Sequence, residues 1–390
     1  MATTADSLHE TNLPEPQFHE NFCNIKVVGV GGGGQNAVNR MIGEVHGVEF
    51  VVINTDQQAL NLSNAPKRVK IGEDLTRGLG AGAQAELGKQ AAEESLSEIY
   101  EVVKDADLIF ITAGMGGGTG SGAAPLVAEA ARDAGALAVG VVTMPFKHEG
   151  IKRRRTAETA LQLLQEQVDA LIVVENDRLT EISDKKASAV ECFRIADQML
   201  MQGVLGISDM ITVPGEINLD FADIRSVIQH GGGAFMAIGM AQGENRAEEA
   251  VQAVIQSTLL NTTIDGATAV VYNVKSKDSP QMKELEDIGD AIANAVAPSA
   301  EIFSGWAMDP DMDDHLQVTL LATGIPIPLE SATVVDSRER QVPSPRRTQP
   351  LNPTKSAATK TAGDGNTVER IQTVRTSQRT SSGLPRFLSN

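Results

Sequence analysis

The chain has 390 residues, 41% of them apolar and 3% aromatic, and a formal net charge of −18. That length predicts two or three domains with real cores, while the acidic balance and the scarcity of stacking aromatics argue against direct nucleic-acid binding. There is no run of eighteen apolar residues, the N-terminus MATTADSLHETNLPEPQFHE lacks a basic start and an apolar core, and Cys23 and Cys192 show no metal-ligand spacing, so no membrane span, secretory leader, zinc site or disulfide framework is expected.

After a flexible N-terminal segment, 1–23, short apolar runs alternate with helical patterns from Asn24 to Val174. In order they are IKVVGV, a helix through Ala37 to Ile42, FVVINT, helical AELGKQAAEESLSEIYEVV, DLIFITAG, helical AAPLVAEAARDAG, ALAVGVVTMP, a helix through RRRTAETALQLLQEQ, and ALIVVE. This alternation predicts an α/β fold with a parallel sheet over 24–185, where ligands bind at the carboxyl ends of the strands. The proline-free, apolar-periodic stretch 186–211 predicts a long central connecting helix. Beyond it ITVPG, TAVVYNV, IFSGWAM and LQVTLLATGI read as strands. Helical patterns lie near Ile224, over Ala247–Leu260 and over Met282–Ala295. Together they predict a second α+β domain, 212–328. Residues 329–380 are rich in Ser, Thr, Pro, Arg and Gln and read as a disordered linker, ahead of a short docking peptide, 381–390, that restores Leu384, Phe387 and Leu388. From Ser331 on there are ten Lys/Arg against four Asp/Glu, so the tail carries about +6 and the rest of the chain about −24.

Two glycine-rich segments follow predicted strands. Gly116-Gly117-Gly118-Thr119-Gly120-Ser121-Gly122 precedes a helical pattern. Bare backbone lets N–H groups approach a phosphate, the helix start adds its dipole, and Thr119 and Ser121 supply hydroxyl donors. The earlier segment Gly29-Val30-Gly31-Gly32-Gly33-Gly34 fits G-x-G-x-x-G with Asp56 further on, so a dehydrogenase that binds NAD stands as an alternative. One pyrophosphate needs one cradle, whereas a triphosphate can be held by two. The two segments therefore favour a nucleoside triphosphate. No G-x-x-x-x-G-K-[ST] is present and neither segment contains lysine, which leaves charge neutralisation to Mg²⁺ and backbone dipoles.

The segments GVGGGGQNAVN, NTD, GGGTGSG, TMPF, EGIKRR, ENDRL and NLDFADI, in this order, resemble the bacterial cell-division GTPase family FtsZ of the tubulin superfamily, over roughly Asn24–Pro328. The resemblance implies binding of GTP/GDP with Mg²⁺, GTP hydrolysis, and head-to-tail self-assembly into protofilaments of a cytoplasmic, mid-cell division ring. It implies that Gly32, Gly33, Gly34, Asn36, Ala81, Gly82, Ala83, Gly116, Gly117, Gly118, Thr119, Gly120, Ser121 and Gly122 surround the phosphates. Glu149 and Arg153 would lie at the ribose, and Asn176, Phe193 and Asp197 at the guanine. Asn218, Asp220 and Asp223 would meet the nucleotide of the neighbouring subunit, the two acids polarising the attacking water. The C-terminal peptide would recruit division-site membrane tethers and regulators.

Each of these residues has a plainer reading. Asp220 and Asp223, three apart at a helix start, serve as ordinary caps in many proteins. Asp197 reads as a polar residue on an exposed helix face, and Arg154 and Arg155 as a solvated helix face. His148 stands before Glu149 where the family commonly has Phe, which opens the packing on the ribose side to question, and Ser121 stands where Thr is frequent. His230-Gly231-Gly232-Gly233 reads as a close backbone turn. A regulatory member that binds GTP without turnover is a third reading, separated from the first by Asp220 and Asp223.

Overall fold

The computed structural model describes residues 23–182 and 188–325, except 214, 218, 230, 258–263 and 311. All of these lie within the first of the chain's two units, Met1–Ser331. The expected linker and docking peptide, and the expected N-terminal segment apart from Cys23, lie outside the described residues.

The chain runs β1 (Ile25–Val30), α1 (Gly31–Met41), β2 (Val48–Asn54), α2 (Gln57–Asn61), β3 (Lys67–Lys70), α3 (Glu73–Thr76), α4 (Ala85–Glu94), α5 (Leu96–Val103), β4 (Leu108–Gly114), α6 (Thr119–Asp133) and β5 (Leu137–Met144). After a 3₁₀ turn, Lys147–Glu149, come α7 (Ile151–Gln165), β6 (Ala170–Glu175), α8 (Asn176–Ile182), α9 (Ala189–Thr212), α10 (Phe221–Gln229), β7 (Gly233–Gln242), α11 (Arg246–Ile255), β8 (Ala269–Ser276), α12 (Met282–Ala295), β9 (Glu301–Met308) and β10 (His315–Ile325).

The strands form one sheet in the order β3-β2-β1-β4-β5-β6-β7-β10-β8-β9. From β3 to β6 every pairing is parallel, as the alternating sequence pattern predicts. β1 shows why it is covered on both faces. Ile25 and Val27 enter one apolar cluster with α1 and α9, while Val28 and Val30 enter another with α4, α5, α6 and α7. Successive strand side chains point to opposite faces, so a strand covered on both sides must be nearly all apolar. Lys26 is the one polar residue of β1, and it is 4% exposed. Its Nζ donates to the carbonyls of Val102 (3.1 Å) and Lys104 (2.7 Å) and so caps the end of α5.

A single pairing, Leu171 with Gly233, joins β6 to β7. Past it the sheet is mixed: β10 is antiparallel to β7 and β8, and β8 is parallel to β9. The first apolar cluster runs on through α9 into this second half. Two glycines let α9 approach both halves closely. A Cβ on Gly203 would stand 2.9 Å from Val141 of β5, and one on Gly206 would meet Met236 of β7 and Thr319 of β10.

Four expectations change in the structure. The helical stretch after Gln84 is two helices, broken at Ser95, whose hydroxyl accepts from the Gly72 N–H at 3.1 Å. ITVPG is not a strand: Ile211 and Thr212 end α9, and the Thr212 hydroxyl bonds back to the Ser208 carbonyl. The described long helix runs 189–212 from its N-cap Ser188 and ends one residue past 211, while 186 and 187 lie outside the described residues. β3 (KRVK) and β7 (GAFMAIGMAQ) are strands that the sequence reading does not contain. The predicted turn at Gly231-Gly232 is present, with φ of 72° and 83°, and it leads into β7.

Candidate functional site

The carboxyl ends of β1 and β4 lie side by side, and each strand runs into a helix, α1 after Val30 and α6 after Met115–Gly118. The glycine runs are largely the first turns of these helices rather than loops ahead of them. Gly31–Gly34 opens α1, and Thr119–Gly122 opens α6. The two starts meet: a Cβ on Gly31 would lie 2.7 Å from the Gly120 nitrogen, and one on Gly33 3.0 Å from the Gly114 nitrogen. Two helix N-termini, each with unpaired N–H groups and the positive end of its dipole, converge on one spot.

Close packing accounts for most of the glycines. Gly34 backs onto the Thr112 carbonyl, Gly118 onto Ala81, and Gly122 onto Ala85 and Lys89 of α4. Gly32 has no atom within 4 Å of a Cβ position, and at Gly117 the nearest is 3.9 Å away. These two glycines face open space at the junction. Gly32, Gly33 and Asn36 are exposed along one side of α1, whereas Gly31, Gly34 and Gln35 are buried.

The hydroxyls of the second run are engaged internally. Ser121 Oγ accepts from the Gly116 N–H at 2.8 Å and holds the turn at Gly116, where φ is 89°. Thr119 Oγ1 bonds Thr55 Oγ1 at 2.7 Å, both residues being buried. Both hydroxyls thus fix the turn, and Ser121, which only accepts in this bond, keeps its O–H to donate. Ala81–Ala83 packs on this turn through Ala81, next to Gly118. Ala83 has φ of 58°, a left-handed conformation that costs a residue with a side chain about 1 kcal/mol or more. Asp56, the acid that a dinucleotide unit needs, is instead the N-cap of α2. Its Oδ1 accepts from the Gln58 and Ala59 N–H groups at 2.9 and 3.1 Å.

Beside the glycine turn, Glu149 Oε2 pairs with Arg153 at 2.8 Å and its Oε1 accepts the Phe146 N–H at 2.9 Å. A Cβ on Gly116 would lie 2.7 Å from Arg153 Cγ, so this pair abuts the turn. The His148 ring stacks on Phe146, with centroids 5.2 Å apart, and Phe146 meets Phe193 edge-on at 5.3 Å. His148 therefore fills the aromatic place that the sequence reading left in question. Arg154 is not part of a solvated face: it forks onto Glu175 at 2.8 and 3.0 Å and reaches Glu158 at 3.2 Å. Arg155 is exposed, as expected.

Asn176 opens α8 directly after β6 and is 4% exposed. Its Oδ1 has no hydrogen-bond partner among the described residues, an unmet demand worth about 1–3 kcal/mol. Phe193 and Asp197 lie one turn apart on α9, which packs on α8 and α1. The Asp197 carboxylate is 14% exposed and pairs with Arg40 of α1 at 2.7 Å, which overturns the exposed-face reading. Burial pushes its pKa up to about 6, against the pull of the Arg40 guanidinium.

Asp220 is exposed and precedes α10, and Asp223 lies in its first turn with one oxygen accepting the Asp220 N–H at 3.3 Å. That is the N-terminal cap of the plainer reading. Asn218 lies outside the described residues. Sequence reasoning gave no role of their own to Arg40, Thr55, Gln35 or Asn54. The last two form a buried chain, Asn54 to Gln35 (3.0 Å) to the Ala59 carbonyl (2.6 Å), that ties α1 to α2. No spacing rule links Arg40 with Asp197, since the pairing is made by the packing of α1 on α9.

The Tubulin/FtsZ family GTPase-domain model matches residues 24–184, and the FtsZ family C-terminal-domain model matches 232–326. An FtsZ dimer from M. jannaschii is 40% identical, covers 77% of this chain and 88% of its own, and superposes with a TM-score of 0.73. At 22% identity, a GTPγS-bound protofilament of CetZ2 from Haloferax volcanii shares the fold, with a TM-score of 0.67 over 77% of this chain and 93% of its own. These matches make the chain a guanine-nucleotide-binding cytoskeletal GTPase, and it belongs to the tubulin/FtsZ family.

Proposed function

We propose that this GTPase polymerises head to tail into protofilaments of a mid-cell, cytoplasmic division ring and hydrolyses GTP at the junction between subunits. The observation that carries the reading is a division of labour. The segments 31–36, 81–83 and 116–122 gather backbone donors at two helix starts yet contain no Asp, Glu or His. They suit a phosphate chain but offer no carboxylate or imidazole to act on the attacking water. Asp220 and Asp223 form a separate acidic pair at the start of α10, with Asp220 exposed. A second subunit presenting its α10 supplies what the first lacks, and the similar FtsZ dimer and CetZ2 protofilament support such association.

In this reading the exposed Gly32, Gly33 and Asn36, together with Ala81–Ala83 and Gly116–Gly122, hold the phosphates. Glu149 and Arg153 face the ribose. Asn176 Oδ1 and the Asp197 carboxylate accept from guanine, with the Phe193 ring against the base. Among the described residues no three His, Cys, Asp or Glu are placed to hold a metal ion. A Mg²⁺ carried on phosphate oxygens needs only one or two carboxylates, a part Asp220 and Asp223 of a neighbouring subunit would take. Bound there, the ion supplies neutralisation of charge on the β- and γ-phosphates. Asp223, with Asp220 and Asn218, positions the attacking water, and phosphoryl transfer rests mainly on such positioning. Domains of 24–185 and 212–328 flank the long helix, and the peptide 381–390 engages membrane tethers and regulators.

The test is phosphate release from GTP over a range of protein concentrations, with pelleting recorded in the same samples. Activity per molecule that rises together with polymer supports the reading. Turnover per molecule independent of concentration would place the whole site in one chain.

A further inference from the structure

Outside the junction of α1 and α6, a groove of about 770 Å³ lies between α4, α6 and α7. Its volume falls within the roughly 300–1,000 Å³ of small-molecule sites. Pro125 and Leu126 of α6 and Ala160 and Leu163 of α7 give it an apolar interior. Lys152 and Arg155 of α7 stand at one end of it.

Those two cations are electrostatically unusual. The first five residues of α7 include Lys152, Arg153, Arg154 and Arg155 and no acid, against the helix dipole, which favours anions there. Arg153 is compensated by Glu149 and Arg154 by Glu175 and Glu158. Lys152 and Arg155 are exposed and have no carboxylate partner among the described residues. The acids of the α4 wall are engaged, Glu93 with Lys89 at 3.7 Å and Glu86 with the Gln90 amide at 3.3 Å. α6 and α7 both follow strands of the parallel sheet and run in the same direction. Glu129 of α6, two turns beyond Ser121, therefore lies toward the end opposite Lys152.

The geometry points to a binding site for a small amphipathic anion: a single carboxylate, phosphate or sulfonate head at Lys152 and Arg155, with an apolar body over Leu126, Ala160 and Leu163. Glu129 disfavours a second acidic group at the far end. Ser121 also lines the groove, and its hydroxyl holds the Gly116 N–H. An occupant rests against the residue that fixes the glycine turn.

The probe is 8-anilinonaphthalene-1-sulfonate, titrated by fluorescence into the full chain saturated with GDP and Mg²⁺. Wild type should show a saturable site. The double variant Lys152→Glu/Arg155→Glu should bind about tenfold more weakly or worse, as expected when hydrogen bonds to a charged head are lost. Thr159→Trp, at an exposed position on α7 that lines the groove, keeps every charge and fills the space, and it should abolish the site. Retained GDP binding shows that both variants are folded. Loss in both variants supports the inference. Undiminished binding in Thr159→Trp overturns it, whatever the charge variant does, because the probe would then be held outside the groove.

Discussion

Replacing Gly32 by alanine separates the two uses of glycine at the start of α1. Gly32 is the second residue of the helix, has a φ that alanine can adopt, and has nothing within 4 Å of its Cβ position. Removing a helical glycine should leave the ligand-free protein as stable as before or up to about 1 kcal/mol more stable. The new methyl, however, stands on the open face where the helix starts converge. Displacing a phosphate from even one or two backbone N–H donors forfeits about 1.5–3 kcal/mol each, or roughly ten- to a hundredfold in affinity per donor. Gly34→Ala is the control. Its Cβ would press on the Thr112 carbonyl and the Gly29 backbone, so it should destabilise by about 1–3 kcal/mol or more through overpacking. The assay is urea unfolding of nucleotide-free protein, since bound ligand would itself add stability, paired with titration of a fluorescent GTP analogue. A Gly32→Ala protein that melts early, or that binds nucleotide as wild type does, would refute the assignment of that glycine to the ligand face.

Two further outcomes follow from the same geometry. Folding raises the Asp197 pKa from 3.8 to about 6, so the folded state holds that proton more tightly than the unfolded chain. The associated stability is fully present below the ordinary carboxylate pKa and is lost as pH rises through about 6; Asp197→Asn should flatten that part of the stability profile. If the ionised carboxylate accepts from guanine, GTP affinity should change oppositely, rising between pH 5 and 7, and Arg40→Ala should move the midpoint upward by removing the attraction that opposes burial. An affinity profile flat over that range would contradict the role. Thr119→Val should cost about 1–3 kcal/mol by leaving the buried Thr55 hydroxyl unpaired, whereas Thr55→Val/Thr119→Val should recover much of it. Equal losses in the single and double variants, measured by urea unfolding, would show that the hydroxyl pair is not what matters.

The parallel half of the sheet was legible because strands buried on both faces must be mostly apolar, as β1, β4 and β5 are. β3 escaped because KRVK is an edge strand with two exposed basic residues, and β7 because GAFMAIGMAQ is built from residues with weak strand preference and is made a strand by its antiparallel partner β10. Ile211 and Thr212 favour strands by themselves, yet they continue α9 because that helix is packed along its length. At the site, the two glycine runs marked the right strand ends. Their number, read as a need for phosphate access, mostly reflects the crowding of α1, α4 and α6 against one another. Ser121, read only as a ligand donor, also braces the turn through its acceptor side. The Arg40 and Asp197 pair joins residues distant in sequence, so only the folded packing of α1 on α9 could disclose it.

The central claim is that one subunit's acids act on its neighbour's nucleotide, and mixing two defective variants tests it most directly. Asp223→Asn keeps an oxygen to accept the Asp220 N–H and leaves the nucleotide segments intact. Gly117→Val obstructs the open face of the glycine turn and leaves α10 untouched. Each alone should turn over little GTP. Combined at a constant total concentration, they should regain phosphate release, because an Asp223→Asn nucleotide can meet an intact Asp223 on the next subunit. A mixture no more active than the sum of its parts, with both variants present in the same pelleted polymer, would contradict a site completed between subunits.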